Sequence, residues 1–237
     1  EMTPGHAVYG NVEGYPEIYA VAKHRKAKRY TGEPLIRPWS GWHTDITAAI
    51  TPPAASILRG DVVPPYGGDT QWTNLAAAYD ALSPTMRAFV DELRGVHTYM
   101  NYNGVQTTQK FTDEISQNQK TSEHPIVCVH PESGRRVLWV SPKFLQKIVG
   151  LTPTENNSLL ALLKTHAVRP EFTLRFKWSP GSLAMWDNRS TAHMAPRDFQ
   201  RTDFDRQLFR TTSVGAIPVG VNGEKSKSLE GTPLEAI

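Results

Sequence analysis

A mainly β fold, a jelly-roll-like double sheet with flanking helices, is what this sequence predicts, on three observations. Eighteen prolines and seventeen glycines spread turns along 237 residues and favour short strands. Short apolar or alternating runs recur at residues 54–59, 126–130, 135–140, 173–178, 183–186 and 207–214. Helical spacing is confined to three segments, and many short strands with few helices fit a double sheet better than a bundle.

Taken in order, residues 1–42 are rich in glycine, proline and charge, with one strand expected at 17–21. Residues 54–59 read as a strand leading into the turn Pro64-Pro65-Tyr66-Gly67-Gly68-Asp69. A helix over 74–82 is predicted by the Asn74 cap and by Leu75, Ala78, Tyr79 and Leu82 at helical spacing. A second, over 84–93, starts with Ser83 as cap and Pro84 in its first turn. The polar stretch 107–123 reads as a mobile loop or lid. Residues 126–130 and 135–140 flank the turn Pro131-Glu132-Ser133-Gly134 as a hairpin, and a third helix covers 154–166. The remaining strands lie around the turn Ser179-Pro180-Gly181.

Composition bounds the function classes. Hydrophobic content of 39% and charged content of 21% are those of a globular protein, and the length suits one domain over residues 1–237. The net charge is only +3, and the run Lys23-His24-Arg25-Lys26-Ala27-Lys28-Arg29 fits a solvated loop better than a nucleic-acid or membrane patch. Neither partner is expected. Cys128, the sole cysteine, sits in an apolar run and reads as a small buried hydrophobe, which rules out an intrachain disulfide. With no apolar stretch near 18 residues and no signal-peptide pattern, a cytoplasmic location is expected. The abrupt opening Glu1-Met2-Thr3-Pro4-Gly5-His6 carries the expectation that an N-terminal portion is missing.

Metal chemistry enters through the pattern His-x-Asp. On extended backbone, residues i and i+2 face one side about 6.6 Å apart, so both side chains can converge on one ion. Two histidines and one carboxylate leave three positions of an iron(II) ion open for a co-substrate and dioxygen. His43-Thr44-Asp45, entering a strand, and His130-Pro131-Glu132 are the candidates, and the second belongs to the hairpin turn, where Glu132 points to solvent. A third ligand is not chosen by residue type: His193, on a segment after the turn Trp186-Asp187-Asn188-Arg189-Ser190, competes with His6, His97, His124 and His166.

The ordered set Gly41-Trp42-His43-Thr44-Asp45, Gly67-Gly68-Asp69-Thr70, His124-Pro125, His130-Pro131, Trp186-Asp187-Asn188-Arg189 with His193, and Arg206 with Arg210 closely resembles the taurine dioxygenase/TfdA family, over about residues 6–219. The resemblance implies a double-stranded β-helix core, Fe(II) held by the catalytic His43, Asp45 and His193, and 2-oxoglutarate as co-substrate. It also implies hydroxylation of a C–H next to a heteroatom, with release of succinate and CO2.

Residues 206, 208 and 210 of the run Arg206-Gln207-Leu208-Phe209-Arg210 share one strand face, and the two arginines lie about 13 Å apart along it. They can hold two different anions in one cavity. The resemblance implies that Arg206 and Thr70 bind the distal carboxylate of 2-oxoglutarate, a task that suits a guanidinium fork. Arg210 is then left for the anionic end of the primary substrate. By the same resemblance His6 and Tyr9 line the substrate pocket. Trp39 stands where taurine-using members are expected to carry asparagine, a departure that argues for a bulkier substrate. Ile46, Tyr99, Tyr102, Trp139 and Phe144 are further lining candidates. The expected substrate is a small anionic organic molecule, an alkyl sulfate or organosulfonate before an aryloxyalkanoate, consumed with O2 by a homo-oligomer, dimer or tetramer. A zinc hydrolase would leave Thr70 and Arg206 without a purpose, and a non-catalytic jelly-roll binding module is the third reading.

Overall fold

The computed structural model of the chain describes residues 1–5, 11–24, 37–99, 118–196, 198 and 202–237. His6, Tyr9, Tyr102 and most of the stretch expected as a lid lie outside them.

Alternating burial builds the sheets that carry the site. The first joins β1 (Tyr19–Lys23), β12 (Arg206–Thr212), β2 (Ala55–Val62) and β10 (Leu183–Asp187) in that order, all antiparallel. In β2 the inward positions are Ser56, Leu58 and Gly60, and in β12 they include Arg206 and Leu208. The second sheet orders β11 (Thr191–Met194), β3 (Thr70–Asn74) and β9 (Thr173–Phe176), again antiparallel. Leu58, Leu208 and Trp186 of the first sheet pack on Trp72 and Phe176 of the second, with the Trp72 and Trp186 rings 5.4 Å apart. Two sheets closed on an apolar interior in this way form the sandwich that the site occupies.

A larger core lies beneath the helices. α1 (Leu75–Asp80) and α2 (Pro84–Asp91) start as the sequence predicts: Asn74 Oδ1 accepts from the amides of Ala76 and Ala77 at 3.0 and 2.9 Å, and Ser83 Oγ from Met86 at 3.2 Å. Caps of this kind each contribute about 1 kcal/mol. α3 (Pro153–Ala167) begins with a capping box between Thr152 and Glu155. Leu75, Tyr79, Val90 and Leu163 of these helices bury against Val127, Cys128 and Leu138 of the hairpin β6 (Val127–Val129) and β7 (Arg136–Leu138).

The third sheet runs β13 (Lys227–Glu230), β5 (Thr121–Pro125), β4 (Arg94–Thr98) and β8 (Leu145–Ile148). It corrects one expectation, since residues 121–123 belong to a strand and not to a polar loop. Their polarity is satisfied locally: Ser122 donates to the Ala48 carbonyl at 2.8 Å, and Glu123 accepts from Arg94 Nε at 2.5 Å. Lys23, at the head of the basic run, donates to the carbonyls of Thr202 and Phe204. Among the described residues, no helix is long and apolar enough to cross a membrane.

Candidate metal centre and its cavity

His43 and His193 are brought together by backbone. Each amide donates to the other's carbonyl, at 2.9 and 2.7 Å, which forms an isolated antiparallel bridge. His193 is thereby a strand residue of β11, opposite Trp72, and not a loop histidine. The segment after His43 does not continue as a strand: Ile46 adopts φ +40° and turns the chain, so Asp45 reaches inward from the start of a turn. A branched residue at positive φ is costly, on the order of 1–3 kcal/mol, and such backbone persists where surrounding structure enforces it. Thr44 supplies part of that enforcement, its amide bonded to Ser141 Oγ at 3.0 Å and its hydroxyl donating to the Thr191 carbonyl at 2.9 Å.

The three side chains then converge. One ligand atom from each of His43, Asp45 and His193 lies within 4.8 Å of the other two. Asp45 Oδ1 is 3.6 Å from His193 Nε2 and 4.0 Å from His43 Nε2. The other oxygen, Oδ2, is held by Ser56 Oγ at 2.8 Å and by the Arg210 guanidinium. His43 Nδ1 is 3.0 Å from the Gly41 carbonyl, which places its proton there and leaves the Nε2 lone pair facing the centre. Burial, and then its neighbour His193, hold the His43 imidazole well below 6.5; burial, and then Lys143, push His193 down to about 3. Two neutral imidazoles and a carboxylate with one oxygen turned inward are the donor set that a ferrous ion takes. The residues present fit the metal.

Around them lies a cavity of about 570 Å³, within the range of small-molecule sites. Arg206 and Thr70 line it on one side of the triad. Arg206 is 4% exposed and burial lowers its pKa to about 10, so it stays cationic at neutral pH. Its Nε donates to the Gly68 carbonyl at 3.1 Å, and Gly68 (φ +72°) accommodates it because a Cβ there would stand 3.0 Å from that nitrogen. Thr70 Oγ1 accepts the Trp178 indole N–H at 2.9 Å, which leaves its own proton for a further acceptor. Arg210 also lines the cavity, between Asp45, Ser56 at 2.9 Å and the Trp186 ring at 5.1 Å.

Of the other candidates, Ile46, Tyr99 and Phe144 line the cavity. Trp139 is 3% exposed in the core beneath the helices. Trp39 does not line the cavity among the described residues; it lies in a turn, with the Arg37 guanidinium 5.4 Å from its ring centre. Glu132 is exposed and paired with Arg189, as the hairpin turn predicts. Among the competing histidines, His97 and His124 are buried in the third sheet, bonded to Thr47 and Ser226, and His166 bonds the Ala78 carbonyl. Ser56 escaped the sequence reading, although a polar residue on the inward face of an otherwise apolar strand was the available signal.

The family model "Taurine catabolism dioxygenase TauD, TfdA family" matches residues 2–212, which include His43, Asp45, Thr70, His193, Arg206 and Arg210. The chain belongs to that family. It is similar to the alpha-ketoglutarate-dependent sulfate ester dioxygenase of Pseudomonas putida, at 37% identity over 80% of this chain and 64% of the relative. An alkylsulfatase of Acinetobacter baylyi is 34% identical over 83% of this chain and 63% of its own length. The chain thus spans less than two thirds of either TauD/TfdA relative. A crystallised taurine dioxygenase from Burkholderia xenovorans superposes with a TM-score of 0.83 at 55% identity, covering 98% of this chain and 74% of that one. The mainly β core with flanking helices is the jelly roll of the TauD/TfdA family.

Proposed function

We propose that this chain is an Fe(II)- and 2-oxoglutarate-dependent dioxygenase that hydroxylates the carbon next to the heteroatom of an alkyl sulfate or organosulfonate. The observation that carries the reading is the placement of two cationic guanidiniums, Arg206 and Arg210, in one cavity with the triad His43, Asp45 and His193. Iron with 2-oxoglutarate supplies, when bound, oxidative decarboxylation to succinate and CO2 coupled to C–H hydroxylation. The chain's own part is orientation. Arg206 and Thr70 take the distal carboxylate of 2-oxoglutarate, the guanidinium through two parallel charge-assisted bonds. Arg210 anchors the sulfate or sulfonate and so fixes which carbon lies against the metal. The buried sandwich excludes water from that carbon. A carbon that carries both hydroxyl and sulfate ester then collapses to an aldehyde with expulsion of sulfate; a sulfonate expels sulfite.

The names of the two curated relatives favour sulfate esters. Trp39, where taurine-using members are expected to carry asparagine, supports a substrate bulkier or more apolar than taurine. The same reading includes a homo-oligomer, dimer or tetramer, in the cytoplasm. Anaerobic titration of the protein with Fe(II) and 2-oxoglutarate should produce a visible charge-transfer band, and succinate release should follow on addition of O2 and an alkyl sulfate. Absence of the band would overturn the cofactor assignment, and succinate release with taurine or an aryloxyalkanoate in preference to alkyl sulfates would overturn the substrate class.

A further inference from the structure

The cavity's lining includes a part of the chain outside the family match, which ends at residue 212. Strand β13 pairs with β5, its register slips between Ser228 and Glu230, and Gly231 at φ +82° then turns the chain. The turn needs glycine twice over: the φ is left-handed, and a Cβ would stand 2.4 Å from the Gln119 carbonyl. Residues 232–235 run on as a strap that lines the same cavity as the triad. Thr232, Pro233 and Glu235 are exposed and Leu234 is partly buried, so Leu234 is the strap's inward residue.

The strap is tied at three points. Leu234 N donates to Thr51 Oγ1 at 3.0 Å, Lys120 Nζ donates to the Thr232 carbonyl at 2.6 Å, and Ile237 N donates to the Met2 carbonyl at 3.1 Å. Lys120 also faces the Glu235 carboxylate, whose charge works against the desolvation that lowers the lysine's pKa. From Lys120 the wall continues through Tyr99, whose amide donates to the Lys120 carbonyl at 3.0 Å, to Phe144, whose ring lies 5.6 Å from the Tyr99 ring. A substrate anchored at Arg210 with its reactive carbon at the triad must send its organic tail somewhere. Apart from Arg206 and Thr70 at the co-substrate end, the apolar and aromatic side chains of Ile46, Tyr99, Phe144 and Leu234 are among those that line the cavity.

We propose that the strap 231–237 is the wall that limits the length of the substrate's organic tail, with Leu234 as the stop and Thr51 as the residue that holds it in place. This inference rests on the reading of an anionic substrate anchored at Arg210. A single methylene in an apolar pocket commands on the order of tenfold or more in specificity, so exchanging one stop residue is enough to move a chain-length optimum.

The test uses the iron-loaded chain with 2-oxoglutarate and measures kcat/KM for linear alkyl sulfates from butyl to dodecyl, with alkylsulfonates and aryloxyalkanoates in parallel. Leu234→Ala should shift the optimum to longer chains and Leu234→Trp to shorter ones, each changing the long-to-short ratio by about tenfold. Thr51→Val, which keeps the side-chain shape and removes the tie, should flatten the profile. Thermal melts and the KM for 2-oxoglutarate, governed at Arg206, establish that each variant is folded and loaded. A parent that discriminates chain length while all three variants keep its profile overturns the strap's role and leaves the proposed function standing. A parent that releases succinate with none of these classes overturns the proposed function, and this inference falls with it.

Discussion

Ser56 donates its hydroxyl to Asp45 Oδ2 across 2.8 Å, while Asn188 Nδ2 donates to Ser56 Oγ at 2.9 Å. One oxygen of the carboxylate is thereby fixed by protein, which turns the other toward the two imidazoles. Groups that orient a ligand typically account for about 10–100-fold in metal affinity. Ser56→Ala should therefore weaken Mn(II) or Fe(II) binding by about tenfold or more. Calorimetric titration of the apo protein checks this, and equal affinities in parent and variant would remove Ser56 from the metal site.

Arg206 and Gly68 are coupled through the hydrogen bond between their side-chain Nε and backbone carbonyl. Arg206→Ala should raise the KM for 2-oxoglutarate by the equivalent of about 2–5 kcal/mol, the loss seen when one partner of a desolvated charge pair is removed. Gly68→Ala should raise the same KM less steeply, because its Cβ forces the guanidinium aside and strains a left-handed backbone by about 1–3 kcal/mol. Both effects should be confined to the co-substrate. A shift in the sulfate-ester KM at saturating 2-oxoglutarate, with none for 2-oxoglutarate itself, would contradict the assignment.

Arg210 has two tasks where Arg206 has one, since it bonds Asp45 Oδ2 as well as lining the cavity. Arg210→Lys keeps a positive charge but, on a shorter side chain, withdraws it from the single nitrogen, Nη2, that reaches both Asp45 Oδ2 and Ser56 Oγ. Metal affinity should fall and the KM for the primary substrate should rise in this one variant, while Arg206→Lys changes only the co-substrate. Kinetics at saturating 2-oxoglutarate, paired with metal titration, separate the two residues; unchanged metal affinity in Arg210→Lys would show that the Asp45 contact does not orient the ligand.

What was legible in the sequence follows from what each feature depends on. The helices at Asn74 and Ser83 and the hairpin around Gly134 rest on local capping and turn chemistry, and they fold where that chemistry places them. Strands β3, β4, β5, β8, β11 and β13 are not legible, because their pairing partners are distant and their sequences lack a clean apolar alternation; Arg94-Gly95-Val96-His97-Thr98 is a strand only because β5 and β8 flank it. For the site, the spacing of His43 and Asp45 points to two of the triad's three residues. The third ligand needed the family pattern, since the His43–His193 bridge joins segments that no local rule connects.

A last prediction concerns pH and uses residues away from the metal. His124 is fully buried, its Nδ1 2.7 Å from Ser226 Oγ and its Nε2 2.7 Å from the Thr47 carbonyl, and burial pushes its pKa down to about 4. His97, ring centre 5.0 Å away, is held well below 6.5 by burial and then by His124. Both are neutral in the folded chain and titrate near 6.5 once unfolded, so between pH 6.5 and 4 the unfolded state binds more protons. Stability is therefore full above about pH 6.5 and falls as the pH drops toward 4, with His124 alone contributing on the order of 3 kcal/mol of that loss. Urea midpoints of the metal-free protein at pH 7 and pH 5 measure the slope. His124→Gln should be less stable at pH 7, having lost one of its two hydrogen bonds, and should show a shallower fall. Because His43 and His193 titrate alike in parent and variant, the difference between the two slopes reports His124 together with its effect on the neighbouring His97, and identical slopes would remove His124 as a source of acid sensitivity.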